Sequence, residues 1–259
     1  MTTAQLHTRH HRRFRGALMI AAIVSLCSCA QQEPYVPLAT PYEAPAQIII
    51  AVAPLINESG TTIVDELQVA DNIANTIQSI DGLGAIPVNR TISAMRASGL
   101  SFVLAPDEAI ALAKSLGADG IIVGTITAWN PYQPLQIGLS VALFPASDAM
   151  FGYAPMELDP RALSAAVTEY GLPDSWVSGR PVAVLSEFYD SEDPQLRVAT
   201  ERYAEHRDDP PHALGARRFR TSMKLFAKFV SHELVSKLLD LESARLTSAG
   251  VHEEITERR

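Results

Sequence analysis

Between residues 48 and 245 the sequence predicts a single α/β domain: a mixed sheet of about five strands packed with helices, closed by a long C-terminal helix. Three observations predict it. Short apolar runs, such as Ile48-Ile-Ile-Ala-Val-Ala53, are separated by stretches whose apolar residues recur at helical spacing. Leu135, Ile137, Leu139, Val141 and Leu143 alternate with Gln136, Gly138, Ser140 and Ala142, the period of a half-buried strand. Near the end, Met223, Phe226, Val230, Leu234, Leu238 and Leu241 draw one continuous helical stripe.

Taken in order, the run at 48–53 ends at Pro54 and reads as a buried strand. After the turn at 57–60, Ile63, Leu67, Ala70, Ile73, Ile77 and Ile80 predict a helix. Thr62, with Asp65 three residues on, is its expected N-cap pair, and Asp81-Gly82 its stop. Residues 85–88 read as an edge strand, because Pro87 has no N–H to give a ladder. A short helix is expected over 91–97. A second opens at Pro106 and runs over 107–116, with Asp107 and Glu108 in its first turn and Gly117 at its end. Residues 118–127 predict a strand, Asn130-Pro-Tyr-Gln-Pro134 a turn, and 135–143 a strand returning antiparallel.

The rhythm breaks over 145–180, an insertion with several prolines and one helical stretch near 161–170. Insertions of this length in compact domains are functional or disordered. Strand character returns at 181–189 and helix at 194–207. The last helix spans 222–244, its stripe widened by Leu225, Phe229 and Val235, and the charged end of the chain at 253–259 is expected to fray.

The N-terminus carries a different signal. A basic head containing Arg9, Arg12, Arg13 and Arg15 precedes an apolar run at 16–26 and then Cys27-Ser28-Cys29. This is the order of a secretory signal peptide, and the run is shorter than the roughly 20 residues a membrane span needs. Leu26-Cys27-Ser28-Cys29 resembles the lipobox of bacterial lipoproteins, although Cys27 is an uncommon occupant of its middle position. The resemblance implies removal of residues 1–28, with Leu26, Cys27 and Ser28 as the signal-peptidase motif and Cys29 as the diacylglyceryl-modified residue. An ordinary secreted protein cleaved nearby, or an uncleaved anchor, is the alternative. Residues 29–47 then form a Pro-rich tether with a reach on the order of 50 Å at most. By resemblance to lipoprotein sorting rules, Ala30 in place of aspartate implies an outer-membrane lipoprotein whose domain faces the periplasm.

Removal of the signal takes four arginines from the 21 basic residues and no acid from the 29, which leaves a formal charge of about −12. Such a chain lacks the basic footprint that nucleic acid requires, and it has no electrostatic attraction to anionic lipid. Its membrane contact is expected to be covalent. With Cys27 removed and Cys29 acylated, no thiol remains for a disulfide, a metal or a nucleophile.

Residues 113–126, Ala-Lys-Ser-Leu-Gly-Ala-Asp-Gly-Ile-Ile-Val-Gly-Thr-Ile, resemble a helix-to-strand junction found in several bacterial periplasmic domains. These are the domains of the curli secretion lipoprotein, the Tol-system propeller protein at its N-terminus, the lipoprotein activators of penicillin-binding proteins, and flagellar accessory lipoproteins. The resemblance extends over about residues 47–144. It implies a scaffold that docks to an envelope machine without doing chemistry. In the curli branch it also implies a ring carrying transmembrane hairpins. The prolines at 145, 155, 160 and 173 do not suit such hairpins, which need paired stretches of about ten alternating residues.

No catalytic residue set, no cofactor motif and no metal site is predicted: the nucleophile elbow, the zinc-binding His pair, the phosphate loop and the dinucleotide fingerprint are all absent from the sequence. His206 and His212 flank Asp208-Asp209 in what reads as a solvated loop. Asp190-Ser-Glu-Asp193 reads as a helix cap without the spacing of a calcium loop. Glu233 and Lys237 are spaced for an i,i+4 pair, and Arg217-Arg218-Phe219-Arg220 is a compact basic cluster that reads as a solvated helix start balancing nearby acids, with receipt of a partner's anionic group as the alternative. Two aromatic surfaces are candidates for partner contact, one at Trp129 and Tyr132 and one at Met150, Phe151 and Tyr153 with Trp176. The alternative for each is that it caps the end of the sheet. The expectation is a lipid-anchored, non-catalytic envelope accessory that binds a protein partner or itself. A ring-forming secretion component and a lipid-anchored periplasmic enzyme are the rivals.

Overall fold

β1 (Ile48–Val52) lies inside a mixed sheet, paired in parallel with β3 (Leu83–Ile86) on one side and β4 (Gly120–Asn130) on the other. β4 pairs antiparallel with β5 (Gln136–Pro145), and β5 antiparallel with β6 (Ala183–Asp190), so the order is β3-β1-β4-β5-β6. The two-residue β2 (Ile56–Asn57) continues the line of β1 along β4 and makes the sixth strand. The computed structural model describes residues 37–42, 47–150, 179–207 and 212–257, with side chains through residue 248. All of them belong to the compact unit Pro37–Arg259.

Side-chain alternation along the central strands feeds two cores. Ile48, Ile50, Val52, Ile122 and Ile126 point to one face of the sheet, joined there by Leu139 and Val141 of β5. They pack against α1 (Glu66–Gln78) and α5 (Met223–Glu257) through Ile73, Ile77, Phe226, Phe229, Val230 and Leu234. Ala51, Ala53 and Ile121 point to the other face, against α2 (Val88–Ala97) and α3 (Pro106–Leu116) through Met95, Ala109, Leu112 and Leu116. Each large apolar side chain so buried stabilises the fold by about 1.5–3 kcal/mol. Among the described residues the second core includes Phe144 at the end of β5 and no residue of β6, so α2 and α3 do not reach β6 on that face.

The α/β class, the mixed sheet and the long C-terminal helix are those the sequence predicts, and several boundaries move. Asp65 itself caps α1, its carboxylate accepting from the Gln68 N–H at 2.9 Å, while Ile63 and Leu67 remain exposed. Ala70, Ile73, Ile77 and Ile80 of the expected stripe are buried, and Val69 joins them. Val88 belongs to α2 and not to the preceding strand, because the extended Pro87 stands at the N-cap and its ring suits that boundary. Lys237 pairs at 3.0 Å with Glu187 of β6 in place of the helical neighbour Glu233, since α5 packs against that strand. Finally, α5 continues to Glu257, Leu241 is exposed, and the adjacent Glu242 is fully buried.

Candidate functional site

Leu26, Cys27, Ser28, Cys29, Phe151, Tyr153 and Trp176 lie outside the described residues. The remaining three predicted contact residues do not form one surface. Trp129, near the end of β4 and opposite Ile137, is half-buried and packs on the main core. Tyr132 projects from the β4–β5 turn with 75% of its surface exposed. The turn itself is fixed by Asn130, whose Oδ1 accepts from the Tyr132 N–H at 3.1 Å and whose Nδ2 donates to the Pro134 carbonyl at 3.1 Å. Gln133 Nε2 ties it to the Arg220 carbonyl at 3.0 Å.

Met150 is not a surface residue, contrary to expectation. A short 3-10 turn (Asp148–Met150) brings its side chain into the main core against Gly120, at the far end of β4 from Trp129. Nine residues of strand separate positions 120 and 129, roughly 30 Å. A Cβ at Gly120 would collide with the Met150 sulfur, so this glycine makes room for the methionine.

Among the described residues, the surface left open is the outer face of β6 with the adjoining parts of β5 and β4 beyond the second core. In register across this face stand Val123, Ala142 and Val184, of which the first two pack against the second core, then Thr125, Ser140 and Ser186, then Ala128, Gly138 and Phe188. Val184 and Phe188 are 57% and 58% exposed. Among the described residues β6 pairs only with β5, so its other edge is unpaired, and its eight residues contain no proline to block an added strand. The alternation Ala183, Leu185, Glu187, Tyr189 against Val184, Ser186, Phe188 is apolar on both faces, and this hid the exposed row in the sequence. Only the position of α5 decides which face is inside.

Two polar clusters anchor the ends of the chain segments around this sheet. Asp119 joins three strand ends: its carboxylate accepts from the Ile49 N–H at 2.9 Å and the Ser147 hydroxyl at 2.6 Å, and its carbonyl accepts from the Ala146 N–H at 2.7 Å. Deeper, Glu242 of α5 accepts from the Tyr42 hydroxyl at 3.0 Å and from two nitrogens of Arg245, each at 2.7 Å. Arg245 also donates to the Met150 carbonyl at 2.6 Å. Burial, reinforced by the Glu242 carboxylate, pushes the Tyr42 phenol far above its ordinary range. This cluster clamps Tyr42, which lies within the stretch 29–47 expected to be an extended tether, and the start of the 145–180 insertion onto the C-terminal helix.

The other polar motifs have local roles. Asp193 caps α4 (Pro194–Glu205) by accepting from the N–H groups of Gln195 and Leu196. Asp190 accepts from the Glu192 N–H and from Gln136 Nε2. His206 Nδ1 lies 2.8 Å from the Arg202 carbonyl, and His212 Nδ1 accepts from the Leu214 N–H. The Arg217–Arg220 cluster forms part of a 3-10 helix (Gly215–Arg220) that buries Phe219 beneath the Arg218 guanidinium, 4.7 Å from its ring. Among the described residues no three His, Cys, Asp or Glu side chains converge in a way that could hold a metal ion, and no helix is long and apolar enough to cross a membrane.

No family model matches the chain, and no curated protein matches it in sequence. Among solved structures it is similar to the C-terminal domain of LpoB from Salmonella enterica, at 11% identity and TM-score 0.37 over 56% of this chain and 84% of that one. It is likewise similar to lipoprotein GNA1162 from Neisseria meningitidis, at 14% identity and TM-score 0.34 over 56% and 81% of the two chains. Hypothetical protein CT253 from Chlamydia trachomatis is similar over 76% of this chain and 99% of its own, at 11% identity and TM-score 0.41. Likenesses this slight carry no inference about function.

Proposed function

We propose that the mature protein is a lipid-anchored, non-catalytic accessory of the bacterial envelope, acylated at Cys29, whose domain faces the periplasm and holds another envelope protein. The N-terminal order of basic head, short apolar run and Leu26-Cys27-Ser28-Cys29 supports the anchor, and Ala30 supports the outer membrane. The observation that carries the binding role is the open outer sheet face beside the unpaired edge of β6, with Val184 and Phe188 exposed on it. An extended segment of the partner adds to β6 as a further strand, and its apolar side chains lie against Val184 and Phe188. Tyr132 is on a separate turn and serves as the internal control.

Affinity purification from detergent-solubilised envelopes tests this. Wild type and Tyr132→Ala are expected to retain the same discrete partner, and Val184→Lys with Phe188→Glu to lose it while the melting temperature stays within a few degrees. Retention of that partner by the double variant contradicts the assignment of the surface. Recovery of more copies of this chain in place of a different protein supports the ring-forming reading instead.

A further inference from the structure

On the helical side of the molecule, away from β6's outer face, α1, α4 and α5 enclose a cleft of about 360 Å³. That is the lower end of the range for small-molecule sites, too small for a polymer and adequate for one compact ligand. Its lining departs from the character of the chain. The whole sequence carries 29 acidic residues against 21 basic ones, yet among the described residues Arg207, Lys228 and His232 line this cleft without a carboxylate, although Glu233 stands beside it, 3.8 Å from His232 Nδ1. Lys228 and His232 are one turn apart on α5, and Asn72, Asn75 and Thr76 present amides and a hydroxyl from α1.

Asn72 supplies an independent indication of a ligand. It lies within the buried stripe of α1, between Val69 and Ile73, and is 5% exposed. Its Oδ1 accepts from Gln68 Nε2 at 3.4 Å, whereas its buried Nδ2 meets no acceptor among the described residues. A buried amide donor without a partner is destabilising, and asparagine is a poor residue for a helix interior. An apolar side chain would serve packing better at this position. The amide is therefore placed for an acceptor that enters the cleft.

The cationic side is held in position before anything binds. Arg207 Nη1 donates to the Tyr203 hydroxyl at 2.8 Å, and the guanidinium lies 5.1 Å over the same ring. Tyr203 in turn is wedged edge-on against Phe219, Phe229 and His232, with centroids 4.9 to 5.4 Å apart. A cation fixed in this way loses little freedom on binding. Guanidinium, ammonium and amide N–H groups together form a donor set that matches an acceptor-rich anion.

From this arrangement we infer a second binding site: the cleft takes a compact hydroxylated anion, its carboxylate or phosphate-ester head group against Lys228 and Arg207 and accepting from Asn72. The inference is independent of the β6 surface and does not rest on it.

Calorimetric titration of the full chain, purified in detergent, with glucuronate, glucose 6-phosphate and glucose tests the site on one sugar scaffold. One or both anions are expected to bind at least about tenfold more tightly than neutral glucose, and the tighter of the two identifies the head group. Lys228→Met, at an exposed helix position, is expected to weaken that anion about tenfold with no change in melting temperature. Asn72→Leu is expected to weaken it as well while keeping or raising the melting temperature. Equal binding of glucose, no heat from either anion up to about 10 mM, or unchanged affinity in Lys228→Met overturns the proposal. A fall in stability without a fall in affinity in Asn72→Leu overturns the role given to that amide.

Discussion

Glu242 is fully buried and its charge is met by Tyr42 and Arg245. Removing one partner of such a group leaves a charge uncompensated, so Arg245→Met is expected to cost about 3 kcal/mol in chemical denaturation and Tyr42→Phe about 1–2 kcal/mol. Alkali addresses the same residues. Burial first, then the carboxylates of Glu187 and Glu233, raise the Tyr189 phenol well above its ordinary value near 10, and Tyr42 is raised likewise. A raised folded-state pKa holds the proton more tightly in the native protein. The stability it contributes is complete below pH about 10 and is lost as pH climbs toward the folded value. Denaturation midpoints should therefore fall steeply above pH about 10. Tyr189→Phe, which removes a buried hydroxyl without a hydrogen-bond partner among the described residues, should flatten that fall while leaving stability at pH 7 within about 1 kcal/mol of wild type. None of this was legible in the sequence. Glu242 sits where the helical stripe predicts a polar face, and Tyr42 is 200 residues away.

The β4–β5 hairpin separates two aromatics that sequence reasoning placed together. Trp129 packs on the main core and Tyr132 stands in solvent. Trp129→Ala is expected to cost about 2–4 kcal/mol and Tyr132→Ala less than about 0.5 kcal/mol, measured by denaturant midpoints at constant slope. Where local chemistry decides an element, its boundaries were legible: Pro106 and Gly117, the latter at φ 67°, delimit α3 as expected. The Gly117-Ala-Asp-Gly120 segment was visible as a helix-to-strand junction, but not the roles of its residues. Asp119 bonds to Ile49 and Ser147, and Gly120 admits Met150, so both depend on segments remote in sequence. Asn72 escaped notice for the opposite reason. It sits inside a convincing apolar stripe, where one polar residue reads as noise until the helix is packed.

At the scale of the molecule, the sheet divides the labour. One face is sealed along its length by α1 and α5, and among the described residues the other is covered by α2 and α3 over β1, β3, the first part of β4 and the end of β5. The part left open among the described residues carries Val184 and Phe188, and the clamp formed by Tyr42, Glu242 and Arg245 fixes the end of the 29–47 stretch to the opposite, helical side. Under the lipid anchoring proposed above, such a domain would keep one sheet edge available to a neighbour. The most direct measurement of that claim is photocrosslinking in living cells from an amino acid analogue at position 188, with position 224 on the exposed side of α5 as the control. The account predicts a single crosslinked species from 188, to an envelope protein other than this chain, and none from 224. No crosslink from 188, or the same species from both positions, would contradict it.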